Sequence, residues 1–536
     1  MSAIPDPIKE GLARGWSVLG GEHGRLPQAL ECDVAIIGSG AGAGITAELL
    51  AKAGLKLIII EEGPLRSSAD FHQLESEAYP ALYQESAARK TADKAMNVLQ
   101  GRCVGGSTTV NWASSFRTPA DTLKFWADRF GLVELNEAAM APWFEQVERR
   151  LNVSPWLVEP NANNLALRHG AVKLGLEAPT MQRNVKGCWN LGSCGMGCPT
   201  NAKQSMLVTT LPAALDLGAT LLVQTRAEAF EFSGAECKAL VCQPVGLDGS
   251  PAGAPLRVKA KHYVVAGGAI NSPALLMRST APDPHGLLGK RTFLHPTLIS
   301  SALFEQRIEG WNGAPQSIYS DHYLHLAPLD GPMGYKLESA PLHPVIMAST
   351  LVGHGREQAA ALKQFPHSQV LLALLRDGFN EQSVGGSVGL KRDGSAVLDY
   401  PLNDFVMDGA RRAFLSMAEL QFAAGAKSVT PLHERAPAFR SWREARDGIL
   451  ALPLEPLLTR VVSAHVMGGC AMAADASRGV VRPDGRHWQI GNLSVIDGSL
   501  FPTSIGANPQ VSVYGQANRL ATGLARQLTG KDVQLA

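Results

Sequence analysis

Long uncharged apolar runs are missing from this sequence: nowhere do about 18 such residues follow one another, so no membrane span is predicted. A net charge of either sign is missing too. Forty-nine Lys and Arg against 48 Asp and Glu leave +1, which argues against nucleic acid or an acidic membrane surface as main partner. The first thirty residues lack the apolar core of a secretion signal, being broken by Asp6, Lys9, Glu10, Arg14, Glu22 and Arg25. Cysteines are few, eight in 536 residues, and without a secretion signal a reduced cytoplasmic setting is expected, with few or no disulfides. Membrane association through a partner subunit stays open. Glycine and proline, by contrast, are plentiful at 54 and 33, pointing to the many tight turns of a mixed α/β protein. The chain is too long for one compact core.

The first element to stand out is Val34–Ile37, a short apolar run read as a buried parallel strand. Gly38, Gly40, Gly42 and Gly44 follow, then a helical pattern from Ile45 to Ala53 and a second buried strand from Leu55 to Ile60, closed by Glu61. Further strands are expected at Thr220–Val223, His262–Ala266 and Leu493–Ile496. The middle of the chain alternates instead, as in Ser317–Leu326 and Ser387–Leu398 with the turn Asp393-Gly394, and predicts an antiparallel sheet; Asp404–Ala424 reads as an amphipathic helix. The expected class is α/β: a Rossmann-type domain with a parallel sheet, interrupted by a second domain with an antiparallel sheet and helices. The expected partition is 28–125 (Rossmann-type, first part), 126–202 (cap or linker with cysteines), 203–299 (Rossmann-type, second part), 300–455 (the interrupting, substrate-facing domain) and 456–536 (Rossmann-type, third part).

A helix N-terminus after a glycine turn offers unpaired N–H groups and a positive dipole end, which suit a pyrophosphate. Ala43 stands where the third glycine of the dinucleotide fingerprint falls, which that pattern tolerates. Glu61 lies 23 residues after Gly38, where an acid takes the ribose hydroxyls. Strand, glycines, helix, strand and acid in that order make a dinucleotide site, without distinguishing FAD from NAD.

Gly101-Arg102-Cys103-Val104-Gly105-Gly106-Ser107, running on to Asn111-Trp112, resembles the first signature of the glucose–methanol–choline (GMC) oxidoreductases. Gly267 to Ser279 resembles the second, with Thr280 in place of its terminal glycine. His465 to Met472, Asn492 to Pro502 and Asn508-Pro509-Gln510-Val511-Ser512 resemble the family's C-terminal stretches. Asn111-Trp112, Phe116 to Pro119 and Lys203 to Ser205 look most like the long-chain alcohol oxidase and dehydrogenase branch.

That resemblance implies non-covalent FAD, with contacts at Gly38, Gly40, Ala41, Gly42, Glu61, Gly101, Arg102, Gly105, Gly106, Ser107, Asn111, Trp112, Ala227, Ala266, Asp497, Gly498, Pro509, Gln510 and Ser512. Val110 stands where a flavin-linking member carries histidine. The implied reaction is oxidation of an alcohol, of apolar character, by hydride transfer to the flavin. His465 is the implied base and Asn508, 43 residues later, the hydroxyl's hydrogen-bond partner. Imidazole suits a proton step at neutral pH. The other histidines, His295 and His487 among them, read as ordinary satisfied polar residues. Oxygen, a quinone or a partner protein is the expected electron acceptor. A hydroxynitrile lyase, or a cluster-bearing sugar or alcohol dehydrogenase, is the alternative. Cys188, Cys194 and Cys198 carry that last possibility: their spacing resembles the iron–sulfur ligands of some dehydrogenases, while reduced structural thiols are the favoured reading.

Overall fold

The computed structural model describes residues 4–535. Two sheets dominate it. In the first, eight-stranded among the described residues, the parallel part runs Ser17–Leu19, Thr220–Leu222, Leu57–Ile60, Ala29–Ile37 and Leu256–Val265. The long strand Leu256–Val265 then divides its far edge. Its first residues pair antiparallel with Glu236–Pro244, and Tyr263–Val265 pair parallel with Leu493–Val495. Leu57–Ile60 and Val34–Ile37 are buried throughout, as strands covered on both faces must be.

The helix expected from Ile45 begins four residues earlier, at Ala41, and runs to Lys52. Its glycines lie inside it because neighbouring chain comes too close for a side chain. A Cβ on Gly42 would fall 1.8 Å from the Ile496 carbonyl oxygen, and one on Gly44 2.6 Å from Thr210 Oγ1. The C-terminal helix Gln510–Thr529 packs against it.

The second sheet is the expected antiparallel one. Its order is Tyr319–Ser320, Tyr335–Ser339, Ser368–Leu375, Thr297–Leu303, Val461–Ser463 and Met96–Val98, with Ser428–Pro431 also on Thr297–Leu303. Only the last pair in that row is parallel. Asp404–Ala424 forms the expected helix and lies on this sheet. Ser317–Leu326 departs from expectation. Only Tyr319 and Ser320 are extended, and the chain then turns through His322–Leu324, where the Asp321 carboxylate accepts from Lys336 Nζ at 2.6 Å. Ser387–Leu398 does form a hairpin about Asp393-Gly394, but in a separate four-stranded sheet.

Gly38, Glu61, Ala266 and Ile496 each follow directly on a parallel strand of the first sheet. The crevice outside those carboxyl ends is where an open α/β sheet binds its ligand. Beside it the second sheet brings His295, Lys336, Glu338 and His465. Among the described residues no helix is long and apolar enough to cross a membrane.

Candidate functional site

One cavity of about 970 Å³ runs from the Gly38–Gly42 turn, past Glu61, to His465 and Asn508. That is the upper range for a small-molecule or cofactor site, about 300–1,000 Å³. Two glycine segments lie back to back along its floor: a Cβ on Gly106 would stand 2.8 Å from Gly40 Cα. Gly40 caps the helix Ala41–Lys52 without any side-chain hydrogen bond, so the first amides of that helix face the cavity unsatisfied. A Cβ added at Gly40 would meet only Gly106 Cα, at 3.8 Å, and would project into the cradle. The residues present therefore fit the pyrophosphate of a dinucleotide.

Glu61 is buried at the end of its strand. Its carboxylate accepts from Ser39 Oγ at 2.5 Å and from the Gly63 N–H at 2.8 Å, and burial raises its pKa to about 7. Ser39, which sequence reasoning passed over, also accepts the Gly105 N–H at 3.0 Å. It thereby ties both glycine segments to the acid. Asp497 is equally committed. One oxygen accepts from the Gly268 N–H (2.7 Å) and Ser272 Oγ (2.6 Å), the other from the Ser499 N–H (2.8 Å). It pins the N-terminus of helix Gly268–Arg278 to the C-terminal segment. Arg102 donates to Glu62 Oε1 at 3.0 Å and to the Leu247 carbonyl at 2.8 Å, closing the cavity's outer end.

Most of the expected contacts line this cavity: Ala41, Gly101, Ser107, Asn111, Trp112, Ala227, Ala266, Gly498, Pro509 and Gln510 among them. Two do not. Gly105 sits behind the wall, at φ +87°, because a Cβ there would strike Thr109 Oγ1 at 2.3 Å. Ser512 is buried in the C-terminal helix, where it accepts from Thr118 Oγ1 at 2.7 Å.

At the inner end His465 and Asn508 are brought together with groups that the sequence did not single out. His295, read as an ordinary polar residue, is wholly buried with its Nδ1 3.2 Å from His465 Nδ1. The Gly506 N–H donates to its Nε2 at 3.1 Å. That nitrogen is therefore bare. Burial holds His295 neutral, so its proton is on Nδ1 and is donated to His465. Burial, then the charge of Lys336, lowers His465 to about 4, leaving a neutral ring whose own proton is on Nε2.

Lys336 and Glu338 point to one side of the strand Tyr335–Ser339 and both are buried. The lysine Nζ lies 3.8 Å from the ring centroids of both Phe116 and Tyr319. Glu338 Oε2 accepts from Asn508 Nδ2 at 3.2 Å and from Gln316 Nε2 at 2.9 Å. Charged residues two apart in a strand are a detectable signal, but sequence does not tell which face is buried.

The three clustered cysteines lie behind the second glycine segment rather than in the cavity. Cys188 Sγ accepts from the Asn190 N–H, Cys198 Sγ from the Lys203 N–H (both 3.4 Å), and Cys194 Sγ from Arg183 at 3.6 Å. Among the described residues no three His, Cys, Asp or Glu side chains are grouped to hold a metal ion. Lys203, fully buried and lowered to about 8 by desolvation, fastens this loop to the cradle. Its Nζ donates to the carbonyls of Thr109 (2.6 Å), Asn111 (2.8 Å) and Cys194 (2.8 Å).

Comparison with known proteins agrees with this architecture. Residues 79–297 and 384–517 match the N- and C-terminal models of the GMC oxidoreductases. A long-chain-alcohol oxidase of Arabidopsis thaliana is 27% identical over 508 residues, covering 91% of this chain and 68% of that protein. An uncharacterized GMC-type oxidoreductase of Mycobacterium tuberculosis (strain H37Rv) is 29% identical, covering 94% and 77% respectively. Among solved structures, a formate oxidase of Aspergillus oryzae, studied for modification of its FAD, superimposes with a TM-score of 0.68. It has 13% identity and coverage of 94% and 99%. With both family models together spanning more than half of its length, the chain belongs to the GMC oxidoreductase family.

Proposed function

We propose that this chain binds FAD non-covalently and oxidises an alcohol to the aldehyde or ketone, with His465 and Asn508 engaging the hydroxyl. One observation carries the reading. The cavity that begins at the phosphate-type cradle of Gly40 ends at a neutral imidazole and an amide, the groups needed to hold and deprotonate a hydroxyl. Four Arabidopsis thaliana relatives being long-chain-alcohol oxidases supports an alcohol with an apolar tail and oxygen as acceptor.

In this reading the helix amides at Gly40–Gly42 would take the pyrophosphate, Glu61 the ribose hydroxyls, and Gly106–Asn111 and Asn508–Gln510 would hold the isoalloxazine. Flavin, when bound, supplies the hydride-accepting chemistry. The protein's own share is orientation and the proton. Resting His465 presents Nε2–H and so first donates to the hydroxyl oxygen. To act as the base it gives up the His295 contact, worth about 1 kcal/mol, and turns its bare Nδ1 to the substrate. With a pKa of about 4 it is neutral, and able to accept, at any pH near neutrality.

An anaerobic screen of primary alcohols against the purified yellow protein tests this. An alcohol that bleaches the flavin supports oxidation, and reappearance of colour in air supports oxygen as acceptor. A hydroxynitrile cleaved without any bleaching would move the assignment to a lyase.

A further inference from the structure

Two buried oxygens at the inner end of the cavity, Asn508 Oδ1 and Glu338 Oε1, have no hydrogen-bond partner among the described residues. Buried polar atoms are nearly always paired, so an orphan asks for a cause. Glu338 Oε2 receives two amide groups, from Gln316 and Asn508. An ionised carboxylate only accepts, so both amides turn their NH2 towards it and their oxygens away. The Gln316 oxygen is satisfied by Ser114 Oγ at 2.8 Å. The Asn508 oxygen is left over, on a residue that lines the cavity.

His465, on the same cavity, rests with its proton on Nε2. The pair thus offers one N–H and one C=O. A hydroxyl is the complement of that pair, since it accepts through its oxygen and donates through its proton. A ketone or aldehyde accepts but has nothing to donate to Asn508, and would face its carbonyl oxygen lone pair to lone pair.

We propose that Glu338 is a positioning residue that holds Asn508 with Oδ1 towards the substrate, so that the site selects a hydroxyl over the carbonyl compound formed from it. This rests on His465 and Asn508 being the substrate-facing pair. The substrate is gripped at both of its hydrogen-bonding positions and the product at only one, which eases product release.

The arrangement depends on the charge of Glu338. The charged and titratable groups around it are Lys336 on its own strand, Tyr319 on the neighbouring one and Asp321 at that strand's end; Lys336 in turn acts on His295 and His465. Burial raises Glu338 to about 7, against the opposing pull of Lys336. A proton taken up on Oε2 makes that oxygen a donor to Asn508 Oδ1, the amide turns over, and the preference for a hydroxyl disappears.

The test needs no turnover. tert-Amyl alcohol has no hydrogen on its carbinol carbon and cannot be oxidised; methyl isopropyl ketone is similar in size but only accepts. Each is titrated into the oxidised holoenzyme, with binding read from the flavin absorbance. Wild-type protein at about pH 8 should bind the alcohol roughly tenfold more tightly than the ketone, the value of one hydrogen bond gained and one repulsion avoided. That preference should shrink towards parity at about pH 6, where Glu338 is protonated, and should be absent in E338Q at both pH values. Equal binding of the two ligands by wild type at the higher pH, or an undiminished preference in E338Q, overturns the proposal. Should E338Q fail to fold or to load flavin, the wild type decides alone: a preference unchanged by pH overturns it equally. If no primary alcohol reduces the flavin, the oxidation reading fails, while this ligand preference is still measured and judged separately.

Discussion

Replacing Gly40 and Gly42 by larger residues should give opposite failures, although the two glycines are neighbours in one turn. Gly40 has φ −74° and ψ −158°, which any L-residue adopts, and its added Cβ would touch only Gly106 Cα at 3.8 Å. Gly40→Ala should therefore leave folding intact, or stabilise it by about 0.4–1 kcal/mol through the unfolded chain. The larger Gly40→Val fills the cradle itself and removes the approach of a pyrophosphate to the helix amides. Losing two charge-assisted N–H contacts at about 1.5–3 kcal/mol each weakens binding by about 3–6 kcal/mol, roughly 100- to 10,000-fold in Kd. Gly42→Ala does the reverse. Its Cβ would lie 1.8 Å from the Ile496 carbonyl oxygen, so helix and strand must part, and the damage is to the fold. Flavin-to-protein absorbance ratio measures loading, and circular dichroism with thermal melting measures folding. Gly40→Val should melt like wild-type apoprotein and stay colourless. A fully loaded, yellow Gly40→Val protein would refute the assignment of this turn to phosphate.

The remaining expectations are simpler. His465→Ala should keep its flavin but lose turnover by roughly 100- to 10,000-fold, followed as the rate of anaerobic flavin bleaching, while Asn508→Ala should lose less. A native rate in His465→Ala removes it from the chemistry. Glu61→Gln should flatten a pH dependence of apoprotein stability. The native pKa of about 7 lies above the ordinary 4.5, so the associated stability is fully present below about pH 4.5 and is lost as pH rises through 7. The gap corresponds to about 3 kcal/mol, read by urea unfolding at the two ends of that range, and an unchanged profile in the variant excludes Glu61 as its source. Iron and acid-labile sulfide on anaerobically purified protein should be absent at stoichiometric level, as expected of thiols that accept hydrogen bonds from Asn190, Lys203 and Arg183. About three irons per flavin would restore the cluster reading.

The glycine-lined end of the cavity was legible as a local pattern. A strand, a glycine turn, a helix and an acid follow one another within about thirty residues, and the later stretches Gly267–Ser279 and Asn492–Pro502 each lie at or directly after a strand of the same sheet. The helix start was misplaced by four residues, since Ala41 to Gly44 carry no periodic apolar signal and enter the helix only through contacts with Ile496 and Thr210. The inner end was legible only in part. His295 lies 170 residues from His465 and Glu338 170 from Asn508. What joins the histidines is a register: Thr297 pairs with Val462, so His295, two residues before Thr297, arrives beside His465 from the adjoining antiparallel strand. Glu338 is aimed inwards by the alternation of Tyr335–Ser339 and by its pairing with Leu372. No local pattern contains either fact.

That difference matters for how a pH dependence in this site is assigned. His465 carries the name of the base, yet at about 4 it is too weak to keep a proton near neutrality, and Lys336 works against its cationic form. Glu338, behind Asn508, and Glu61, at the other end of the cavity, are both raised by burial to about 7, so their charges change about neutrality. Asn508 stands between His465 and Glu338, hydrogen-bonded to that carboxylate and facing the cavity. On the proposed role of Glu338, a limb near neutrality in kcat/KM should vanish in E338Q and persist in Glu61→Gln; the reverse outcome assigns it to Glu61. The imidazole titrates only under much more acid conditions. Reading such a limb as histidine, on its ordinary value of 6.5, would pass over the burial and the Lys336 charge that both lower His465.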